Sequence, residues 1–325
     1  MDSFDHYNDT STKWFIGGGA VDLTGTLSRT GIGCMDLAGS TTGPFLLFNG
    51  ISRFVSGTAF YLDNFPQPTF GEIMNFIETV TNTRQVRIVC YPDCSIGVLN
   101  ENTVLGRSAP GQLVINSYNY IEVDAIIATL GACVVRVNEQ VVLNLNNVRT
   151  QFPGSLSLVN AWRLKGFGIT ASTRHDDVYL RDPDGETFGQ SFWGAEKTFA
   201  IVPDADAAPL NWTPSSGTDH FSLVNEIPPD NGATYVESNT VNQKDQYSQS
   251  NSAITNPLAT SIPCVQHCLC MADPAVTRSV GSCADGAIEG NQVLTDAFLI
   301  YNFPYERSWT VAAVGSTKFG PVVTA

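Results

Sequence analysis

The stretch YIEVDAII (residues 120–127) places Ile121, Val123, Ala125 and Ile127 at alternate positions, with Tyr120, Glu122 and Asp124 between them. A period of two is the repeat of a strand, which sends successive side chains to opposite faces, and it predicts a half-buried strand with one wet face. Soon after comes CVVRVNEQVVLNL (133–145), two runs of the same kind around Asn138, Glu139 and Gln140, which reads as a hairpin. A chain committed to strand, turn and strand here must cover that sheet with another layer.

The flanking sequence supplies the layer. FLLFNGISRFVSGTAFYL (45–62) is two apolar runs around Asn49-Gly50 and predicts a hairpin there. GEIMNFIETV (71–80), RQVRIVC (84–90), SIGVLN (95–100), TVLG (103–106), AWRLKGFGIT (161–170) and DDVYLRD (176–182) are further short strands between turn residues. Charged residues are 15% of the chain, against roughly 25% in ordinary soluble domains, so Ser, Thr, Asn, Gln and Gly must cover much of the surface. With 28 Gly and 17 Pro there is little room for long helices. The fold class expected is all-β: an antiparallel jelly-roll sandwich over residues 1–182, an extended aromatic-pinned connector over 183–256, and a smaller C-terminal β domain over 257–325.

The net charge of −14 repels phosphate backbones, and no basic run offsets it, so no nucleic-acid partner is expected. AIIATLGACVV (125–135) is far short of the roughly 20 residues of a membrane helix, and the acidic start MDSFDHYNDT has no apolar leader core. No membrane insertion is expected, and synthesis in a cytoplasm is. The eight cysteines are then expected as thiols. In PCVQHCLC the spacing puts Cys264, Cys268 and Cys270 on one face of a strand and His267 on the other. That suits buried small side chains better than a zinc site.

Three clusters invite chemical readings. NWTPSSGTDHFSLVNEIPPD (211–230) holds Ser215, Ser216, Asp219 and His220, the residue types of a hydrolytic triad. Adjacent side chains in extended chain point apart, no G-x-S-x-G occurs, and Pro-Ser-Ser-Gly suits a turn, so no catalytic residues are assigned. Asp182, Asp184 and Gly185 resemble the opening of a calcium loop, but Glu186 holds the third ligand position and no acidic residue completes the loop. The plain turn is preferred, with calcium near Asp182 and Asp184 as the alternative, and no other metal or cofactor is expected. The glycines of GGG (17–19) and GIGCMDLAG (31–39) lack the strand–helix frame of a phosphate loop.

Several stretches together resemble a family of tailed-bacteriophage and prophage virion proteins with an N-terminal concanavalin A/laminin G-like domain. They are SFDHYNDTSTKW (3–14), YNYIEVDAII, VVRVNEQVVL, DDVYLRD, Trp212 to Asp230, ATYVES (233–238), Lys244-Asp245, WTVAAV (309–314) and KFGPVVTA (318–325). The resemblance implies a non-enzymatic structural component of the particle, on the tail or the capsid exterior, located in the virion. Its partners would be other virion proteins and further copies of itself. Trp193, Trp212, Phe221 and Tyr235 would make partner contacts from the connector. Two other readings stand beside it: a carbohydrate-binding module for host-surface glycans, and a polysaccharide-degrading enzyme, which would need two opposed carboxylates in a groove.

Overall fold

The computed structural model describes residues 20–22, 28–29, 33–37, 43–65, 69–168, 171–184, 191–195, 197, 200–227, 229–230, 232–249, 254, 264–305 and 309–325. The segments 3–14 and 17–19, and Gly185 and Glu186 of the proposed calcium loop, lie outside them. The described residues divide into two compact units between positions 198 and 199.

Thirteen strands build the first unit: β1 (Ala20–Asp22), β2 (Cys34–Asp36), β3 (Phe45–Ile51), β4 (Arg53–Leu62), β5 (Gly71–Glu78), β6 (Thr83–Cys90), β7 (Ile96–Asn100), β8 (Thr103–Arg107), β9 (Ser117–Ile126), β10 (Gly131–Val137), β11 (Gln140–Val148), β12 (Val159–Leu164) and β13 (Thr173–Arg181). They form two antiparallel sheets. One has seven strands in the order β1-β2-β13-β4-β9-β10-β11, the other six in the order β3-β12-β5-β6-β7-β8. This is the jelly-roll sandwich expected from the alternation.

Alternate residues of both sheets fill the space between them. Phe54 of the seven-stranded sheet stacks on Phe76 of the other at 3.9 Å between ring centroids, and Phe76 lies parallel to Trp162 at 6.1 Å. Ile121, Val123, Cys133 and Val135 close the layer from one side, and Val86, Ile88 and Val98 from the other, all fully buried. Each such side chain contributes about 1.5–3 kcal/mol by leaving water. Polar side chains are buried here too, Ser56, Thr58 and His175 among them. His175 is fully buried, its Nε2 3.0 Å from the Lys165 carbonyl and its Nδ1 3.0 Å from Thr58 Oγ1. Because a carbonyl only accepts, Nε2 carries the proton and Nδ1 accepts from the threonine hydroxyl.

The β10–β11 hairpin turns where the sequence indicates, with Asn138 and Glu139 both at positive φ (47° and 68°), as a tight two-residue turn requires. Two expectations need correction. Asn49-Gly50 is not a hairpin turn. Both residues lie inside β3, which pairs with β12, whereas β4 pairs with β9 and β13 in the other sheet. The two apolar runs are strands of opposite layers joined by a crossover at Ser52. Most of the wet face expected of β9 is also dry: Glu122 is fully buried and Tyr120 nearly so, because residues 191–195 of the same unit cover them, while Asp124 keeps part of its side chain in solvent.

The second unit contains β14 (Pro203–Leu210), β15 (Thr213–Pro214), β16 (Val236–Glu237), β17 (Asp245–Gln249), β18 (Val265–Cys270), β19 (Ser279–Ala284), β20 (Ala287–Val293), β21 (Leu299–Pro304), a short helix α1 (Val311–Ser316) and β22 (Phe319–Val323). A five-stranded antiparallel sheet runs β14-β17-β22-β19-β20, with β15-β16 and β18-β21 as separate pairs. Residues 183–256, read from sequence as an extended connector, thus contribute β14 and β17 to this sheet. Tyr305, Trp309 and Phe319 pack edge to face or tilted, with centroids 5.2–5.7 Å apart, beside Ala284 and Val314.

Candidate functional site

Strand parity decides what each outer face of the sandwich presents. On the six-stranded sheet, Trp162 and Leu164 point into the core, so Arg163 and Lys165 point out. Across the sheet Arg163 stands level with Asn75, and Asn75 with Arg87. Gly97 also faces out, and the Tyr91 ring lies over it: a Cβ there would come within 2.7 Å of Tyr91 Cε2. The outer face therefore carries a row of cations set among aromatic rings. The guanidinium of Arg163 lies 5.2 Å from the Phe45 centroid, Arg87 5.4 Å from Phe70, and Arg107 3.9 Å from Tyr91.

Carboxylates answer most of this charge. Glu72 is held by Arg84, by Arg87 and by Lys165, the last at 3.7 Å, and accepts from Asn75 Nδ2 at 2.9 Å. Burial works to raise its pKa, but the Asn75 amide, Arg87 and Lys165 together hold Glu72 below the usual carboxylate range. Glu101 receives Arg84 Nη2 at 2.7 Å and Arg84 Nε at 3.0 Å, and Asp93 pairs with Arg107 at 2.8 Å. Burial pushes the Lys165 ammonium down, the Arg163 and Arg84 charges add to that, and Glu72 opposes it.

Arg163 is the exception. Among the described residues its guanidinium forms no ion pair, and its Nε is buried with no hydrogen-bond partner. It borders an open cleft of about 260 Å³, lined also by Ile77, Asn82, Arg84 and Glu101. The cleft is slightly smaller than the roughly 300 Å³ at which enclosed small-molecule sites begin, and it is open to solvent, which suits one unit of a longer ligand laid along the sheet.

The opposite face, on the seven-stranded sheet, is denser in reactive side chains and is already filled. Tyr179 lies flat on Gly57 and donates to Glu122 Oε1 at 2.7 Å. Gly194 N–H donates to the same oxygen at 2.8 Å, and Arg136 pairs with Glu122 Oε2 at 3.4 Å. Trp193 packs between Tyr179 and the Arg181 guanidinium, 5.0 and 4.2 Å from its ring, and Arg29 bridges Asp177 to the Ala195 carbonyl. Every one of these charges has a partner within the unit.

The residues singled out in the sequence are dispersed. Trp193 is the strap residue just described. Trp212 donates through its backbone N–H to Asp245 Oδ1 and through Nε1 to the Gln243 carbonyl, Phe221 N–H donates to Asp206 Oδ1, and Tyr235 is exposed. The triad residue types do not converge: Ser215 bonds the Tyr235 backbone and Asp219 bonds Thr218. His220 instead pairs through Nδ1 with Asp245 Oδ2 at 2.6 Å, a partner 25 residues away that also accepts from Tyr247 Oη at 2.8 Å. Asp182 caps the Asp184 N–H at 3.1 Å as in a turn. Among the described residues no group of three or more His, Cys, Asp or Glu could hold a metal, and no helix is long and apolar enough to cross a membrane.

Sequence reasoning missed the basic face of the six-stranded sheet. Its signal was present in AWRLK, where two cations alternate with two core residues.

No protein-family model matches the chain, and no curated protein matches it. Solved structures share its sandwich. A cellulose-induced protein is 14% identical, with a TM-score of 0.43 over 56% of this chain and 96% of its own. An alginate lyase solved with alginate tetrasaccharide is 11% identical, with a TM-score of 0.41 over 55% and 95%. An endo-β-1,4-glucuronan lyase from the fungus Trichoderma reesei is 14% identical, with a TM-score of 0.39 over 54% and 92%. These matches correct two expectations, the structural role in a phage particle and the absence of enzymatic activity. The three solved structures named above are two lyases and a cellulose-induced protein. At such identities the likeness is one of fold.

Proposed function

We propose that the first unit binds an acidic polysaccharide along the outer face of its six-stranded sheet. The observation that carries this is Arg163, a cation with no anionic partner at the mouth of an open cleft, in a chain whose net charge is −14. Four cations (Arg84, Arg87, Arg107 and Lys165) meet three carboxylates (Glu72, Asp93 and Glu101) in the pairs of this face, and Arg163 stands beside them, leaving positive charge to spare. Phe45, Phe70 and Tyr91 give flat apolar surfaces beside the charges, as a ring with one apolar face and one carboxylate requires. A neutral glycan would use the rings and leave Arg163 unanswered.

The test is titration of the full chain with a polyuronate and with a neutral β-glucan of similar length. The polyuronate binds, and binding weakens as salt rises because exposed charges are screened. Arg163→Ala weakens it about tenfold or more, since a charge-assisted hydrogen bond is worth roughly 1.5–3 kcal/mol. Equal binding of the neutral polymer, or an unchanged affinity in the Arg163→Ala protein, overturns the reading.

A further inference from the structure

The second unit carries a built thiol site. In β18 the side chains of Cys268 and Cys270 share one face and pack against Val280, Tyr301 and Phe303, while His267, opposite Asn302 on β21, bonds its amide oxygen at 2.6 Å. Both cysteines are only partly buried.

Gln266 Nε2 donates to the Cys268 sulfur at 3.1 Å, and Cys270 follows two residues on along the same strand face. The Gln266 amide is set with Nε2 toward the sulfur and Oε1 toward two buried hydroxyls, Ser282 Oγ at 2.7 Å and Tyr305 Oη at 2.8 Å. The hydrogen bond from Cys270, and then that from Gln266, hold the Cys268 thiol below its ordinary range against the opposing effect of burial. Cys270, the donor of the pair, is pushed up by the same contact and by burial. Burial also pushes up Cys90, Cys94, Cys133 and Cys283. The pair is thus asymmetric, one sulfur prepared to lose its proton and the other to keep it.

We propose that Cys268 and Cys270 form a redox-active dithiol whose oxidant is a hydroperoxide. The Cys268 thiolate attacks the terminal peroxide oxygen; the S–O bond forms, the O–O bond breaks, and the leaving alkoxide or hydroxide takes a proton from solvent. Sulfur has then lost two electrons and the peroxide has gained them. Cys270 attacks the resulting sulfenic acid, the S–S bond forms, and the departing hydroxyl leaves as water with the Cys270 proton. Residues two apart on a strand have Cα atoms roughly 6.4–6.8 Å apart, at the upper end of the disulfide range, so the bridge is strained and readily reduced by an external dithiol.

The experiment treats the full-length protein with hydrogen peroxide, blocks remaining thiols with N-ethylmaleimide, and maps the peptides. The wild type loses Cys268 and Cys270 together, and dithiothreitol restores both. In Cys270→Ser, dimedone traps a sulfenic acid at Cys268. Gln266→Leu slows the reaction about threefold. Loss of a hydrogen bond to a charged sulfur lowers the thiolate fraction roughly tenfold, and the more basic thiolate regains about half of that on a logarithmic scale. Gln266→Asn serves as a second variant should the leucine protein not fold. Oxidation of Cys94 ahead of Cys268, an undiminished rate in Cys268→Ser, or a Cys268 sulfenic acid that persists beside intact Cys270 overturns the proposal.

Discussion

His175 gives the first unit a pH dependence that can be worked from its position. The ring is fully buried, with Nε2 donating to a carbonyl and Nδ1 accepting from Thr58. A second proton would have to enter at Nδ1, with no carboxylate to answer it, and burial pushes the pKa down to about 4. In the unfolded chain it returns to roughly 6.5. Between those values the unfolded state binds the additional proton, so stability falls as pH falls. The contribution is fully present above pH 6.5 or so, declines by about 1.4 kcal/mol per pH unit below it, and reaches a total loss of about 3 kcal/mol near pH 4. Equilibrium urea denaturation followed by circular dichroism, at pH 7.5, 6.5, 5.5 and 4.5, measures the slope. The comparison protein is His175→Gln, whose amide keeps a donor and an acceptor but does not titrate. Glu72 and Glu101, held below the ordinary carboxylate range, titrate in both proteins and cancel in the difference. Wild type should lose about 1.4 kcal/mol more than the variant between pH 7.5 and 5.5. Parallel slopes in the two proteins would refute the assignment of a neutral, buried imidazole.

Two further outcomes follow from close packing and from a shared carboxylate. Gly57→Ala would set a Cβ 2.3 Å from Tyr179 Cε1, and lifting that ring should cost about 1–3 kcal/mol, read as a fall of roughly 2–4 °C in Tm for each kcal/mol. An unchanged Tm would mean the ring moves freely. Asp245→Ala leaves His220 Nδ1, Tyr247 Oη and Trp212 N–H without their acceptor and should destabilise the second unit by about 3–5 kcal/mol in urea denaturation. Asp219→Ala, next to the histidine in sequence, should change stability by less than about 0.5 kcal/mol. Equal effects of the two substitutions would refute the pairing.

What could be read in the sequence depended on how local its cause was. The β10–β11 hairpin was legible because Asn138 and Glu139 settle it themselves by adopting positive φ. Asn49-Gly50 offered the stronger dipeptide signal and no hairpin, since the partners of β3 and β4 lie 55 to 126 residues away and apolar runs do not name their partners. The same limit applies to the sites. Asp219 cannot orient His220, as the alternation of side chains indicates, but nothing near residue 220 points to Asp245. Glu122 reads as solvent-facing from its own strand, and only the return of residues 191–195 buries it. On the six-stranded sheet the alternation in AWRLK shows two cations leaving the core side, whereas the surplus of charge emerges only when β5, β6 and β12 are set side by side.

The strap across the seven-stranded sheet has one more consequence. Trp193, with the backbone N–H of Gly194 directed at Glu122, occupies that face as a tethered guest would. A segment joined to its own receptor acts at an effective concentration on the order of millimolar, which dilution does not lower. Any soluble molecule offered to that face must outcompete an occupant that never leaves solution, so binding there would register only once the tether is cut or Trp193 is replaced.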